Sequence, residues 1–151
     1  MKTRFVSYAV LSMLTLASCS SIVEPGEKLG DAKARWLQNG PASYTLTVTR
    51  GCGECMPEAA GSVIVKVVNR QVVSRTYVAT GAAVASSYAG VFPGIEEFFD
   101  IISDVLDENP YKADIEYDPE LGYPTSLSVD LSKQTVDDEF FITVSDFKPN
   151  Q

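Results

Sequence analysis

Histidine is absent from all 151 residues. Serine–histidine catalysis is thereby excluded. A structural zinc site needs four cysteine or histidine ligands, and only three cysteines are present. No glycine loop suited to cradling phosphate occurs, and no dinucleotide fingerprint. Basic residues are scarce, 12 against 20 acidic, for a formal net charge of −8. A chain this acidic is repelled by nucleic acid and by anionic lipid, so neither is an expected partner. Long apolar runs are lacking too. The one near the start, Phe5 to Leu16, is too short to cross a bilayer comfortably.

What that run does carry is an export signal. Met1-Lys2-Thr3-Arg4 supplies a positive start, and Leu16-Ala17-Ser18-Cys19 a small-residue cleavage site ending in cysteine. The order Leu-Ala-Ser-Cys resembles the lipobox of bacterial lipoproteins, in which the chain is cut before the cysteine and its thiol is diacylated. The expected organisation is a lipoprotein signal peptide over 1–18, a lipidated tether over 19–26 and a single domain over 27–151. Two or three acyl chains on Cys19, at about 0.8 kcal/mol per buried methylene, would hold the domain on a membrane almost permanently. Ser20 after the cysteine resembles the signal for outer-membrane sorting, so the expected address is the periplasmic face of the outer membrane. Without residues 1–18, 10 basic residues face 20 acidic ones, giving −10. The tether, at about 3.5 Å per residue, lifts the domain at most about 25 Å from the lipid.

Periodicity then outlines an α+β domain. Leu29, Ala32, Trp36 and Leu37 recur at near-helical spacing over Glu27 to Asn39, with the single tryptophan as a core anchor and Gly40-Pro41 as the stop. Tyr44, Leu46 and Val48 alternate with Ser43, Thr45, Thr47 and Thr49, which predicts a strand with one wet face. Two further strands are read through Val63, Val65 and Val67 and through Val72, Val73, Tyr77 and Val78, joined at Asn69 by a tight hairpin that lacks the usual following glycine. From Ala79 to Gly90 the composition shifts to Ala, Gly, Ser and Thr, a connecting loop long enough to bind something, although a flexible spacer without a ligand is the favoured reading. Ile95, Phe98, Phe99, Ile102, Val105 and Leu106 then form a wide helical stripe. Three more strands follow, through Ala113–Tyr117, Leu127–Leu131 and Phe140–Val144. The predicted architecture is an antiparallel β-sheet with two helices on one face, in the order α-β-β-β-α-β-β-β.

The second helix has a polar face of Glu96, Glu97, Asp100, Asp104, Asp107 and Glu108, with no base of its own. Two of these acids stand at the C-terminal end, where the helix dipole disfavours them by some tenths of a kcal/mol. Glu96, Glu97, Asp100 and Asp104 are the candidate contact for a cationic partner, beside the plainer reading of a solvated face.

Several segments carry a resemblance. Arg35-Trp36, Ser43-Tyr44-Thr45-Leu46, the cysteine turn with its nearby proline, Ile95-Glu96-Glu97-Phe98-Phe99, Glu116 to Thr125 and Asp137-Asp138-Glu139 resemble the bacterial family of exported proteins called DUF6174. The specific part is Tyr-Asp-Pro-x-x-Gly-Tyr-Pro at 117–124. The resemblance runs from about Trp36 to Phe147 and implies export, often with lipidation, and no known activity. The chain departs from the Cys-x-Cys frequent in that family by having Cys52-x-x-Cys55.

That pair, in Gly51-Cys52-Gly53-Glu54-Cys55-Met56-Pro57, is the one reactive-looking motif. A thiol oxidoreductase needs a cysteine of lowered pKa, usually at a helix N-terminus or beside a base. The residues after Cys55 are too few for an ordinary helix, and Glu54 works against a thiolate. The favoured reading is a disulfide formed in an oxidising compartment, bracing a turn; redox catalysis stays open beside it. Carboxylates permit weaker readings: a glycosidase-like pair such as Glu116 with Asp130, or calcium near Asp118, Asp130, Asp137 and Asp138, whose spacing matches no EF-hand. The expectation is a non-enzymatic outer-membrane lipoprotein, without cofactor or metal, that binds an envelope component, in one version a basic secreted enzyme. The alternative is a periplasmic thiol–disulfide redox protein using Cys52 and Cys55.

Overall fold

A computed structural model gives the fold, and the structure describes residues 25–135 and 137–150. The signal peptide and Cys19 lie outside the described residues. Helix α1 (Pro25–Asn39) opens on a proline, whose fixed φ suits a first turn. Pro25 and Gly26, expected in the tether, therefore belong to the helix. Ala32 and Trp36 are buried and Leu29 partly so. Leu37, expected on the same stripe, is 55% exposed. One residue past Trp36 turns a side chain about 100° round the helix, off the core face.

Strands β1 (Tyr44–Cys52), β2 (Gly61–Val68) and β3 (Gln71–Tyr77) follow, then α2 (Ile95–Asp107), then β4 (Lys112–Tyr117), β5 (Pro124–Asp130) and β6 (Phe140–Pro149). Short 3-10 segments occupy Pro57–Ala59, one turn, and Ser86–Val91, two turns. All strand pairs are antiparallel, in one six-stranded sheet of order β3-β2-β1-β6-β5-β4. The fold is an α+β mixture with an antiparallel sheet. The halves meet along β1 and β6 at the centre. A duplicated unit would give β1 and β4 equivalent places, but one is central and the other an edge.

Alternation decides which side chains go in. Tyr44, Leu46, Val48, Val63, Val65, Val67, Leu127, Val129 and Ile142 join the buried residues of α1 and α2 in one cluster. The other face carries Thr45, Thr47, Thr49, Ser62, Thr143 and Ser145, with Ile64 and Phe141 left exposed among them. The β2–β3 hairpin turns on Asn69 and Arg70, both at positive φ (52° and 63°). This is the two-residue geometry that matches strand twist, here reached without glycine. The segment after β3 folds back along that strand: Thr76 bridges Ala83, and Val84 N donates to Arg75 O.

The turn between β4 and β5 accounts for the Tyr-Asp-Pro-x-x-Gly-Tyr-Pro stretch. Asp118 Oδ1 accepts from the backbone N–H of Glu120 and of Leu121, and Arg35 of α1 donates to Pro119 O at 2.9 Å. Gly122 has φ +82°, and a Cβ there would meet Ala32 O at 2.5 Å. Tyr123 stacks on Phe147 with centroids 4.7 Å apart and meets the Trp36 ring edge-on. Gly122→Ala is expected to cost about 2–3 kcal/mol, because strain and collision coincide. Gly81, at φ +70° with open space around it, is the control, and its alanine variant should lose about 1 kcal/mol. Equal urea midpoints for the two variants would contradict the collision with α1.

Candidate functional site

The cysteine turn sits at the end of β1. Cys52 closes the strand, and Cys55 is disulfide-bonded to it with a Cα–Cα distance of 5.5 Å. Gly53 N donates to Glu139 O, and the space a Cβ would fill at Gly53 is taken by Asp137. The turn is thus seated against the segment that leads into β6. The Pro57–Ala59 segment follows, pinned by Tyr77 Oη donating to Glu58 O at 2.6 Å.

Arg50 is the residue the sequence reading missed. Its Nη1 donates to Ala59 O at 2.9 Å and lies 3.4 Å from Cys52 Sγ and 3.3 Å from Cys55 Sγ. The guanidinium also stands over the Phe140 ring at 5.6 Å. Among the described residues no carboxylate forms an ion pair with it, and burial pulls its pKa below the usual arginine value. A signal was available: Arg50 and Cys52 stand two apart in a strand and so share a face.

The acids of α2 fare differently from one another. Glu96 accepts from Trp36 Nε1 at 3.0 Å, Tyr44 Oη at 2.6 Å and Arg70 Nη1 at 2.9 Å. Arg70 in turn donates to Gly40 O and lies over the Trp36 ring. Tyr44 Oη accepts from Ile95 N at 2.8 Å. Burial, then the hydrogen bond to Glu96, drives the Tyr44 pKa far above the ordinary tyrosine value. Glu97 pairs with Arg75 and accepts from Gly94 N at 2.8 Å, capping the helix start. Asp100 pairs with Lys33 of α1 at 3.0 Å. Asp104 is exposed and has no ion pair among the described residues. The bases that answer this helix come from α1, the hairpin and β3, which is why reading the helix alone found none.

The remaining carboxylate readings find little geometric support. Glu116 lies opposite Ser126, and Asp130 opposite Lys112. Four strand residues, about 13 Å, therefore separate them along the sheet, wider than either glycosidase geometry uses. Asp118 is engaged by its own turn. Among the described residues no group of three or more metal-ligating side chains gathers. No described helix is long and apolar enough to cross a membrane.

Neither a curated protein nor a solved structure matches the chain. The model of a family of unknown function, DUF6174, matches residues 28–149. That span holds α1 from Lys28, every strand and α2, so the chain belongs to the DUF6174 family.

Proposed function

We propose that this protein is a lipoprotein of the bacterial envelope, anchored through Cys19 at the periplasmic face of the outer membrane, and that it acts as a binding module rather than an enzyme. In this reading both helices cover one face of the sheet and α2 turns its acids outward, toward a basic protein partner. The observation that carries it is the division among those acids. Glu96, Glu97 and Asp100 are matched inside the fold by Arg70, Arg75 and Lys33. Asp104 is exposed, as are Asp107 and Glu108, and the last turn of α2 holds no base. Negative charge at a helix C-terminus costs some tenths of a kcal/mol. The fold gains nothing from these charges, whereas a cationic partner would. The contact in this reading narrows from Glu96, Glu97, Asp100 and Asp104 to Asp104, joined by its C-terminal neighbours Asp107 and Glu108.

Crosslinking in intact cells followed by affinity capture tests it. A basic protein should be captured by the wild type, with its yield falling about tenfold in an Asp104→Lys/Asp107→Lys variant. An unchanged yield would remove the acidic contact. Cys19→Ser should release the protein from the membrane fraction, and continued co-fractionation with outer membrane would remove the anchor.

A further inference from the structure

We infer that the Cys52–Cys55 disulfide is an exchangeable, electron-accepting centre, with Arg50 as the group that stabilises its reduced form, and that its substrate is a protein dithiol. This departs from the non-enzymatic part of the proposed function and leaves its anchor and acidic contact untouched, so the contact and the exchange can each fail without the other. Arg50 Nη1 touches both sulfurs, at 3.4 and 3.3 Å, and has no carboxylate partner among the described residues. Opposite a neutral disulfide that charge is matched, among the described residues, by Ala59 O and the face of Phe140. Opposite a thiolate it would complete an ion pair. A cation placed this way favours reduced over oxidised, which is how strongly oxidising thiol proteins are tuned.

Other charges near the turn are acidic: Glu54 between the cysteines, Glu58 in the following segment, and Asp137, Asp138 and Glu139 in the segment against Gly53. They oppose a thiolate. Arg50 is the charge in hydrogen-bonding contact with the sulfurs, and Coulomb attraction is strongest at contact. Both cysteines are only half-buried, and Met56 beside them is 61% exposed. A shallow cleft of about 370 Å³ adjoins the turn, lined by Pro57, Ala60, Tyr77, Ala79 and Ala82 among others. It gives an incoming polypeptide an apolar surface to rest on.

The exchange balances as follows. A thiolate of the substrate attacks one sulfur of the pair, forming a mixed disulfide while the other sulfur leaves as a thiolate beside Arg50. The substrate's second thiolate then attacks its own sulfur in the mixed disulfide and releases the second cysteine. Two electrons pass to Cys52 and Cys55, and the substrate dithiol becomes a disulfide. Because Nη1 contacts both sulfurs, either leaving group is stabilised.

The test equilibrates the full-length mature protein with reduced and oxidised glutathione and reads the Cys52–Cys55 redox state by thiol trapping. The wild type should be reduced by excess reduced glutathione, and Arg50→Met should shift the equilibrium at least tenfold toward the disulfide, about 30 mV. Arg50→Lys, which keeps the charge, should recover most of that shift. A pair that stays oxidised in excess reduced glutathione, or an equilibrium indifferent to Arg50→Met, overturns the inference. Should Arg50→Met fail to fold, the reduced wild type decides alone through thiolate absorbance at 240 nm. A first thiol pKa clearly below about 8.5 supports the inference, and one at or above it overturns it.

Discussion

Replacing Glu96 with alanine is expected to destabilise the fold by about 3 kcal/mol, lowering the melting temperature by about 10 °C. The carboxylate is the shared acceptor for Trp36 Nε1, Tyr44 Oη and Arg70 Nη1. Trp36 and Tyr44 are fully buried, so neither donor can turn to water when the acceptor goes. An unmatched buried donor costs about 1–3 kcal/mol. Arg70 retains partial solvent access and its bond to Gly40 O, which limits its share. The same carboxylate sits in the first turn of α2, where negative charge favours the helix. Asp100→Ala should lose under about 0.5 kcal/mol, because its bond to Lys33 is an exposed ion pair. Urea denaturation of both variants checks this, and equal losses would mean that Glu96 is a surface charge after all. The consequence for function is direct: Glu96 cannot be used to probe partner binding without unsettling the junction of α1, β1, the β2–β3 hairpin and α2.

The fold should also lose stability steeply above pH 10, by about 1.4 kcal/mol per pH unit for Tyr44 alone. Burial, reinforced by the hydrogen bond to Glu96, raises its pKa far above the ordinary value. The sign follows from which state holds the proton. As pH rises past 10 the unfolded chain ionises Tyr44 first, while the folded chain keeps it neutral, so proton release pulls toward unfolding. Stability from this group is whole below the unfolded pKa and declines as pH climbs toward the folded one. Tyr117, pushed up to about 12 by burial, acts in the same direction between pH 10 and 12. Its contribution is smaller, because its pKa is raised less far than that of Tyr44. Tyr44→Phe should be less stable near pH 7 by about 1–2 kcal/mol, having stranded Ile95 N and part of Glu96. Its midpoint should then fall less steeply with pH than the wild type's. Parallel urea midpoints from pH 9 to 11.5 would show Tyr44 to be uninvolved.

Much of the architecture was legible because it rests on short-range periodicity. Tyr44, Leu46 and Val48 went inward and the threonines between them outward, as a strand's two-residue repeat requires. The α2 stripe from Ile95 to Val105 is buried as its spacing indicated. The tight hairpin was legible at Asn69, although Arg70 also takes positive φ without glycine's freedom. Part of its compensation is distant, since the same turn lets Arg70 reach Glu96 and Gly40 O. Phe147 shows where periodicity stops. Thr45 pairs with Lys148 but Thr47 with Ser145, so β6 holds one extra residue at Asp146, which has φ +51°. That bulge reverses the alternation and sends Phe147 onto Trp36, Tyr44 and Tyr123.

By itself the sequence determined the local matters: an acidic chain without histidine, the inward and outward faces of the strands, and the turn at Asp118–Gly122. Each depends on residues within a few positions of one another, where dihedral preference and side-chain period act directly. Tertiary structure alone decided what the charges do. Glu96 meets partners 26 to 60 residues away. Arg50 meets Cys55 and Ala59 only because the chain reverses after β1. Electrostatic and hydrogen-bonding energies fall off with distance through space, and the fold sets which distant groups come within 3 Å. An acid read as a partner's contact thus became the keystone of a half-buried network, and a cysteine turn read as a brace acquired a guanidinium against both sulfurs.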